Sequence, residues 1–183
     1  DVTSDRSVQR LAKKYRGQPI DVLVNNARIL GDVPAQKLGS YDFEVFDEIM
    51  GVNVKGPLRV TQAFIDNVAA SDQKKVVNIS SAVGSIKLTF PGQVFYRSSK
   101  AALNMATRTL SREVKLPGPD PRRKEIIFGL VNPGIVDTGF AKNVPVPMIQ
   151  AEESARYVIE RIDGLTKETT GAFLDYKGGE LPW

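Results

Sequence analysis

Val76-Val77-Asn78-Ile79, followed by Ser80-Ser81-Ala82-Val83-Gly84, is a short apolar segment that runs into a polar turn. Its apolar residues do not alternate strictly with polar ones, which is typical of a strand buried on both faces in a parallel sheet. The same arrangement occurs at residues 20–24, before Asn25-Asn26-Ala27, and at residues 125–131, before Asn132-Pro133-Gly134. We therefore predict three buried strands that each end in a polar turn.

Helical patterns separate these strands. They lie at residues 5–15, 41–70, 94–115 and 152–162, and a last short strand is expected at 172–176. Gly56 and Pro57 predict an interruption of the second helix. Regular alternation of strand and helix predicts an α/β fold, a Rossmann-like doubly wound parallel sheet with helices on both faces. We expect residues 1–183 to form a single domain of this kind.

Length and charge restrict the class of protein. The chain has 183 residues, of which 42% are hydrophobic and 25% charged, enough apolar side chains for one core. Its 25 basic and 21 acidic residues give a net charge of +4, and the short run Arg122-Arg123-Lys124 is better explained by a solvated loop than by a nucleic-acid footprint. No apolar stretch approaches the ~20 residues of a membrane helix. We expect no nucleic-acid or membrane partner, and a cytoplasmic location.

Cysteine and histidine are both absent from the sequence. Disulfides, thiolate nucleophiles, Cys/His metal sites and Ser-His-Asp triads are therefore excluded. Acid–base chemistry in this chain must use tyrosine, lysine, aspartate or glutamate.

Tyr96 and Lys100 form the strongest single candidate for such chemistry. Their i, i+4 spacing places the phenol and the ammonium on one face of the predicted helix. A cation near a phenol favours phenolate, so Lys100 is expected to lower the pKa of Tyr96 from its usual value of about 10. In isolation, the same spacing fits a solvent-facing pair on an amphipathic helix. Ser81, at the end of the preceding strand, favours a site because its hydroxyl could hold a substrate oxygen beside Tyr96.

An ordered series of motifs then resembles the short-chain dehydrogenases/reductases along essentially the whole chain. The series is Asn25-Asn26-Ala27, Val52-Asn53-Val54, Ser81 with Gly84, Tyr96-x-x-x-Lys100, and Asn132-Pro133-Gly134 with Thr138. The C-terminal Gly178-Gly179-Glu180-Leu181-Pro182-Trp183 is similar to the carbonyl-reductase or C-factor-like branch. Each motif alone is ordinary turn or helix chemistry, and their order makes the match specific.

The resemblance implies an NAD(P)-dependent oxidoreductase, a short-chain dehydrogenase/reductase that acts on a small-molecule carbonyl or secondary alcohol. It assigns Tyr96 as the general acid in reduction and the base in oxidation, and Ser81 as the group that polarises the substrate oxygen. Lys100 would lower the pKa of Tyr96 and bind the nicotinamide ribose, and Asn53 would support a water-linked proton relay. The family also implies a homodimer or homotetramer.

The same resemblance places the cofactor, NADP or NAD, along several loops. Asn25 and Ala27 would follow the adenosine ribose, and Asp1 and Val2 would meet the adenine. Three residues would hold the nicotinamide carboxamide, namely Pro133, Val136 and Thr138.

Two features depart from the family pattern. Arg28 stands where the family usually has glycine, and its long side chain either crowds the cofactor or points away into the loop. The sequence also contains no Gly-rich dinucleotide turn between a strand and a helix. In the family that turn lies upstream of the Asp1-Val2 pair, so we expect the N-terminal strands of the fold to be missing from this chain.

Two other functions are compatible with parts of the sequence. A non-catalytic Rossmann-fold protein that acts through binding or oligomerisation would explain the missing Gly-rich turn. A hydrolase is the weakest alternative, because without histidine it has no base except Tyr96 and Lys100. The segment after Thr138, which would cover the substrate, is apolar but not diagnostic, with Phe140, Val144, Pro145, Val146, Pro147 and Met148.

Overall fold

The computed structural model describes residues 1–138 and 147–183. Its sheet contains β1 (Val22–Asn25), β2 (Lys75–Ile79), β3 (Ile127–Asn132) and β4 (Ala172–Asp175), in the order β1-β2-β3-β4. All neighbouring strands are parallel. Each strand therefore ends at the same edge of the sheet, where the predicted polar turns meet.

Five α-helices connect or precede these strands in the described part of the chain. They are α1 (Asp5–Lys14), α2 (Phe43–Met50), α3 (Gly56–Ala69), α4 (Val94–Glu113) and α5 (Ala151–Asp163). On one face of the sheet, Val68 of α3 packs with Val76 and Phe128. On the other face, Ile162 of α5 packs with Val77 and Ile127. The predicted α/β fold with helices on both faces is confirmed.

The helical stretch predicted at 41–70 is present, and it is interrupted directly before Gly56 and Pro57. Gly56 and Pro57 begin α3, where proline is tolerated because a first-turn amide has no intrahelical partner. The irregular turn is a π-helix at Gly51–Lys55, which carries Asn53 between α2 and α3. The interruption predicted near Gly56 and Pro57 is therefore present, and it lies in the turn directly before them.

The strand at the start of the sheet was predicted to be buried, but β1 is an edge strand and leaves apolar surface open on the face of α5. Val24 is 43% exposed, whereas Val76 and Val77 in the neighbouring strand are fully buried. In the described residues, none of the helices is both long and apolar enough to cross a membrane.

Candidate active site

Four of the predicted cofactor residues lie in the wall of one cavity, on the face of the sheet that α5 covers. The cavity has a volume of about 680 Å³, and the four residues are Ala27, Pro133, Val136 and Thr138. Ser154 of α5 donates to the carbonyl oxygen of Pro133 at 2.7 Å and so fixes this part of the wall. The volume falls within the range of ~300 to 1,000 Å³ that is usual for small-molecule sites.

Tyr96 and Lys100 lie in the first turns of α4, and both side chains are buried. Lys100 Nζ donates to the carbonyl oxygen of Ile79 at 3.0 Å, and it lies 5.9 Å from the centroid of the Tyr96 ring. Ile79 is itself in the cavity wall. Tyr96, Lys100 and Ser81 are themselves not in the cavity wall, and Lys100 is linked to the wall through Ile79.

Gly84 allows α4 to approach the turn that follows β2. A Cβ at this position would lie 2.8 Å from Lys100 Cβ and 2.9 Å from its backbone carbonyl carbon, too close for any other residue. The glycine of the motif series thus sets the depth at which Lys100 is buried.

Burial controls the protonation of this pair. It lowers the pKa of Lys100 to about 7, with a further lowering by the positive charge of Arg28. It raises the pKa of Tyr96, and Arg28 opposes that rise. The sequence predicted instead that Lys100 would lower the pKa of Tyr96. That direction differs from the structure, because desolvation of the phenol outweighs the nearby charge, and the cation that lowers this pKa is Arg28.

Arg28 is the residue that departs from the family pattern, and the structure decides between its two possible orientations. Its half-buried side chain forms part of the cavity wall together with Thr138. Its charge also acts on both Tyr96 and Lys100. Arg28 therefore enters the site, and the alternative in which it points away is wrong.

Ser81 begins the turn that follows β2, and its side chain is half-buried. Its Oγ accepts from Val83 N–H at 3.4 Å, close to the limit for a hydrogen bond. Asn132 holds this turn: its Oδ1 accepts from Ala82 N–H at 3.1 Å, and its Nδ2 donates to Asp175 at 2.8 Å. The ends of β2, β3 and β4 are thereby joined around Ser81.

Asn53 is fully buried in the π-helical turn, and its side-chain amide bonds to its surroundings on both sides. Its Oδ1 accepts from Ile29 N–H, and its Nδ2 donates to Ile29 O, each at 2.9 Å. The same Nδ2 donates to Ser99 Oγ at 3.0 Å. The side chain therefore ties the loop after β1 to α4, and its part in a proton relay stays a prediction.

Besides Tyr96 and Lys100, three other predicted cofactor residues are not in the cavity wall. Asn25 Nδ2 donates to Asn78 Oδ1 at 2.8 Å and to Thr61 Oγ1 at 3.2 Å, so its side chain lies on the α3 face. Val2 packs on Gly56 at the start of α3, and Asp1 accepts from Thr3 at the exposed N-terminus. Their predicted contacts with adenosine stay predictions.

Two residues that the sequence analysis did not assign are part of the site or its support. Asn26, the second member of Asn25-Asn26-Ala27, is in the cavity wall, and strict alternation along β1 could have pointed to it. Gln36 is fully buried and binds the backbone of Tyr96, a long-range contact for which the sequence holds no signal. Most of the predicted substrate-covering segment, residues 140–146, lies outside the described residues.

Comparison with known proteins agrees with the motif series. Residues 1–147 match the family described as short chain dehydrogenase. The chain is 36% identical over 166 residues to the C-signal protein of Myxococcus xanthus, and the match covers 90% of this chain and 93% of that protein. It is 31% identical over 188 residues to a 1-hydroxy-2-glutathionyl-2-methyl-3-butene dehydrogenase of Rhodococcus sp. (strain AD45), covering 100% of this chain and 78% of the relative.

Solved structures show the same relationship. The NADPH-bound carbonyl reductase from chicken fatty liver has a TM-score of 0.86 and 27% identity, and the match covers 100% of this chain and 75% of that one. The resemblance to the carbonyl-reductase and C-factor-like branch is thereby confirmed. By its sequence, its fold and its arrangement of motifs, the chain belongs to the short-chain dehydrogenase family of oxidoreductases.

Proposed function

We propose that this chain carries out NAD(P)-dependent hydride transfer on a small-molecule carbonyl or secondary alcohol, with Tyr96 as the acid and base. One observation carries the proposal: Tyr96 and Lys100 are buried on one face of α4, and Lys100 bonds to Ile79 at the wall of a ligand-sized cavity.

The residues of the cavity fit the nicotinamide end of a dinucleotide. Pro133, Val136 and Thr138 offer apolar and hydroxyl groups along one wall, and Arg28 is a cation suited to a polyanionic ligand. A bound nicotinamide supplies or accepts the hydride. NADP is the preferred choice of cofactor, because the chicken carbonyl reductase and a similar Burkholderia multivorans structure are described with NADPH or NADP.

The chain's own groups then handle the proton and the substrate oxygen. Ser81 holds the oxygen through its hydroxyl, and Tyr96 Oη donates its proton to that oxygen in reduction or takes it back in oxidation. Lys100 would bind the nicotinamide ribose, and Arg28 is the cation that lowers the pKa of Tyr96. Asn53 supports the arrangement by fixing α4 to the loop after β1.

Turnover with reduced cofactor tests this proposal. The purified protein, with any residues that its gene encodes before Asp1, is mixed with NADPH or NADH and a panel of aldehydes and ketones. Loss of the nicotinamide absorbance is followed, together with thermal unfolding in the presence of each cofactor. We expect a higher melting temperature with NADPH and cofactor oxidation with at least one carbonyl. Absence of both effects would favour a Rossmann-fold protein that acts only through binding or oligomerisation.

We also propose a homodimer or homotetramer. Met105 on α4 and Leu116 just after it are 67% and 62% exposed, and a second subunit would remove such apolar side chains from water. Light scattering after gel filtration gives the subunit number directly, and a monomer at micromolar concentration would contradict the proposal. The cytoplasmic location stays a proposal that fractionation of cells expressing the tagged protein tests.

A further inference from the structure

The first turn of α4 depends on a side chain from another segment. Its N-cap residue, Gln93, has a left-handed backbone (φ 52°) and makes no side-chain capping bond. The first amides of a helix have no partner within the helix, and Tyr96 N–H is one of them. Gln36 Oε1 accepts this amide at 2.9 Å.

Gln36 is completely buried and lies in the 3₁₀ turn Pro34–Gln36 between β1 and α2. Its Nε2 donates to the carbonyl oxygens of Leu30 at 2.8 Å and Asp32 at 3.2 Å. Both ends of the amide are therefore bonded, one to the loop after β1 and the other to the backbone of Tyr96.

A second chain of bonds reaches Tyr96 from its other side. Tyr96 O accepts from Ser99 Oγ at 2.7 Å, and Ser99 Oγ in turn accepts from Asn53 Nδ2 at 3.0 Å. Asn53 also holds Ile29, in the same loop that Gln36 holds at Leu30 and Asp32. The loop after β1 is thus fastened to both the N–H and the C=O of Tyr96.

We propose that Gln36 is a positioning residue that fixes Tyr96 relative to the loop bearing Arg28. The inference rests on the proposed role of Tyr96 as acid and base. Rotation of the first turn of α4 would move the phenol relative to Ser81, and Asn132 independently holds the turn that Ser81 begins, through Ala82 N–H. An error of about 1 Å in such a site can cost roughly 100-fold in rate. Gln36 thereby acts on the proton-transfer step without touching substrate.

Gln36→Met tests this role, because it keeps the size of the side chain and removes its three hydrogen bonds. The matched control is Asn67→Leu: Asn67 is also buried and donates to two backbone carbonyls, those of Tyr15 and Gln18, in the loop after α1. We expect kcat to fall roughly 10-fold or more in Gln36→Met with KM nearly unchanged, and to stay near wild type in Asn67→Leu. Equal losses in the two variants, or a loss confined to KM, would overturn the proposal.

Hydrogen–deuterium exchange separates this proposal from the proposed function. The Tyr96 amide should exchange ~10-fold faster in Gln36→Met than in wild type, whether or not a substrate has been found. An unchanged exchange rate would refute the positioning role even if the enzyme is active. Conversely, faster exchange in Gln36→Met together with no turnover by the wild type would support the contact between Gln36 and Tyr96, and it would count against the catalytic assignment.

Gln36→Glu provides a variant that keeps the acceptor for Tyr96 N–H. Its protonated carboxyl also retains one donor for the loop, whereas the ionised form places negative charge against the carbonyls of Leu30 and Asp32. We expect kcat near wild type at acidic pH and a fall relative to wild type as pH rises. A ratio of kcat to wild type that does not vary with pH would contradict the proposal, and this test stands even if Gln36→Met does not fold.

Discussion

The two faces of the sheet are built for different purposes. On the face of α3 and α4, a buried polar ladder joins the elements: Asn25 donates to Thr61 and Asn78, and Asn78 donates to Thr107 at 2.8 Å. On the other face, α5 lies beside a cavity, and Arg28 forms part of the wall of that cavity. The face of α3 and α4, here called the rigid face, holds the helix of Tyr96 and Lys100. The face of α5, here called the open face, leaves room for a ligand. The proposed chemistry takes place where the two meet, at the end of β2.

Removal of the Tyr96 hydroxyl should have the largest effect on turnover, and it tests this division of roles between the two faces. Tyr96→Phe keeps the ring on the rigid face and removes only the proton donor, so turnover should fall by ~10²- to 10⁴-fold while cofactor affinity stays nearly constant. Steady-state rates and NADPH titration by fluorescence measure the two quantities. Tyr15→Phe, on the exposed end of the first helical segment, is the matched control. Full activity of Tyr96→Phe would refute its assignment as acid and base.

Gly84→Ala should disturb the rigid face itself. The added Cβ meets the backbone of Lys100 at 2.9 Å, so α4 has to move rather than a flexible side chain. Overpacking of this kind costs ~1 to 3 kcal/mol, and we expect both a lower melting temperature and a loss of kcat of roughly 10-fold. Gly118→Ala is the control, because a Cβ there meets nothing within 4 Å. Identical kcat values for the two variants would show that turnover does not depend on how closely α4 approaches the turn after β2.

On both faces, the sequence predicted features that depend on local patterns better than features that depend on long-range contacts. Apolar runs such as 76–79 and the Tyr96–Lys100 spacing are local patterns, and they gave the parallel sheet and the face of α4 correctly. Gln36 bonds to Tyr96 across 60 positions, so no local pattern could reveal it. The pKa of Tyr96 depends on burial, which spacing does not contain. Asn25 was associated with cofactor by its motif, whereas its side chain lies in the polar ladder of the opposite face.

The cost of burying Lys100 on the rigid face can be measured through its titration. Its pKa of about 7 lies far below the ~10.4 of an unfolded lysine. The unfolded state therefore binds more protons between these values, and stability of the wild type should rise as pH increases from about 7 to about 10. Below pH 7 both states are protonated and the full cost of burial is present.

Lys100→Met removes this cost together with the bond to Ile79. We expect its melting temperature at pH 7 to exceed that of wild type by roughly 5 to 10 °C, and the difference to shrink toward pH 10. The same variant should have lost activity. Thermal unfolding across this pH range checks the prediction, and a difference that stays constant with pH would show that Lys100 does not titrate as its burial implies.

Arg28→Gly should produce the smallest effect, a shift in the pH profile of kcat/KM. The substituted residue lies in the cavity wall on the open face. The charge of Arg28 lowers the pKa of Tyr96 and, after burial, that of Lys100, so its removal raises both. Carbonyl reduction needs a protonated Tyr96, and the alkaline limb of kcat/KM should therefore move to higher pH. Arg28→Lys keeps the charge and should keep the wild-type limb. If both variants have the wild-type pH profile, the cation in the cavity has no influence on the rigid face, and the two faces act independently.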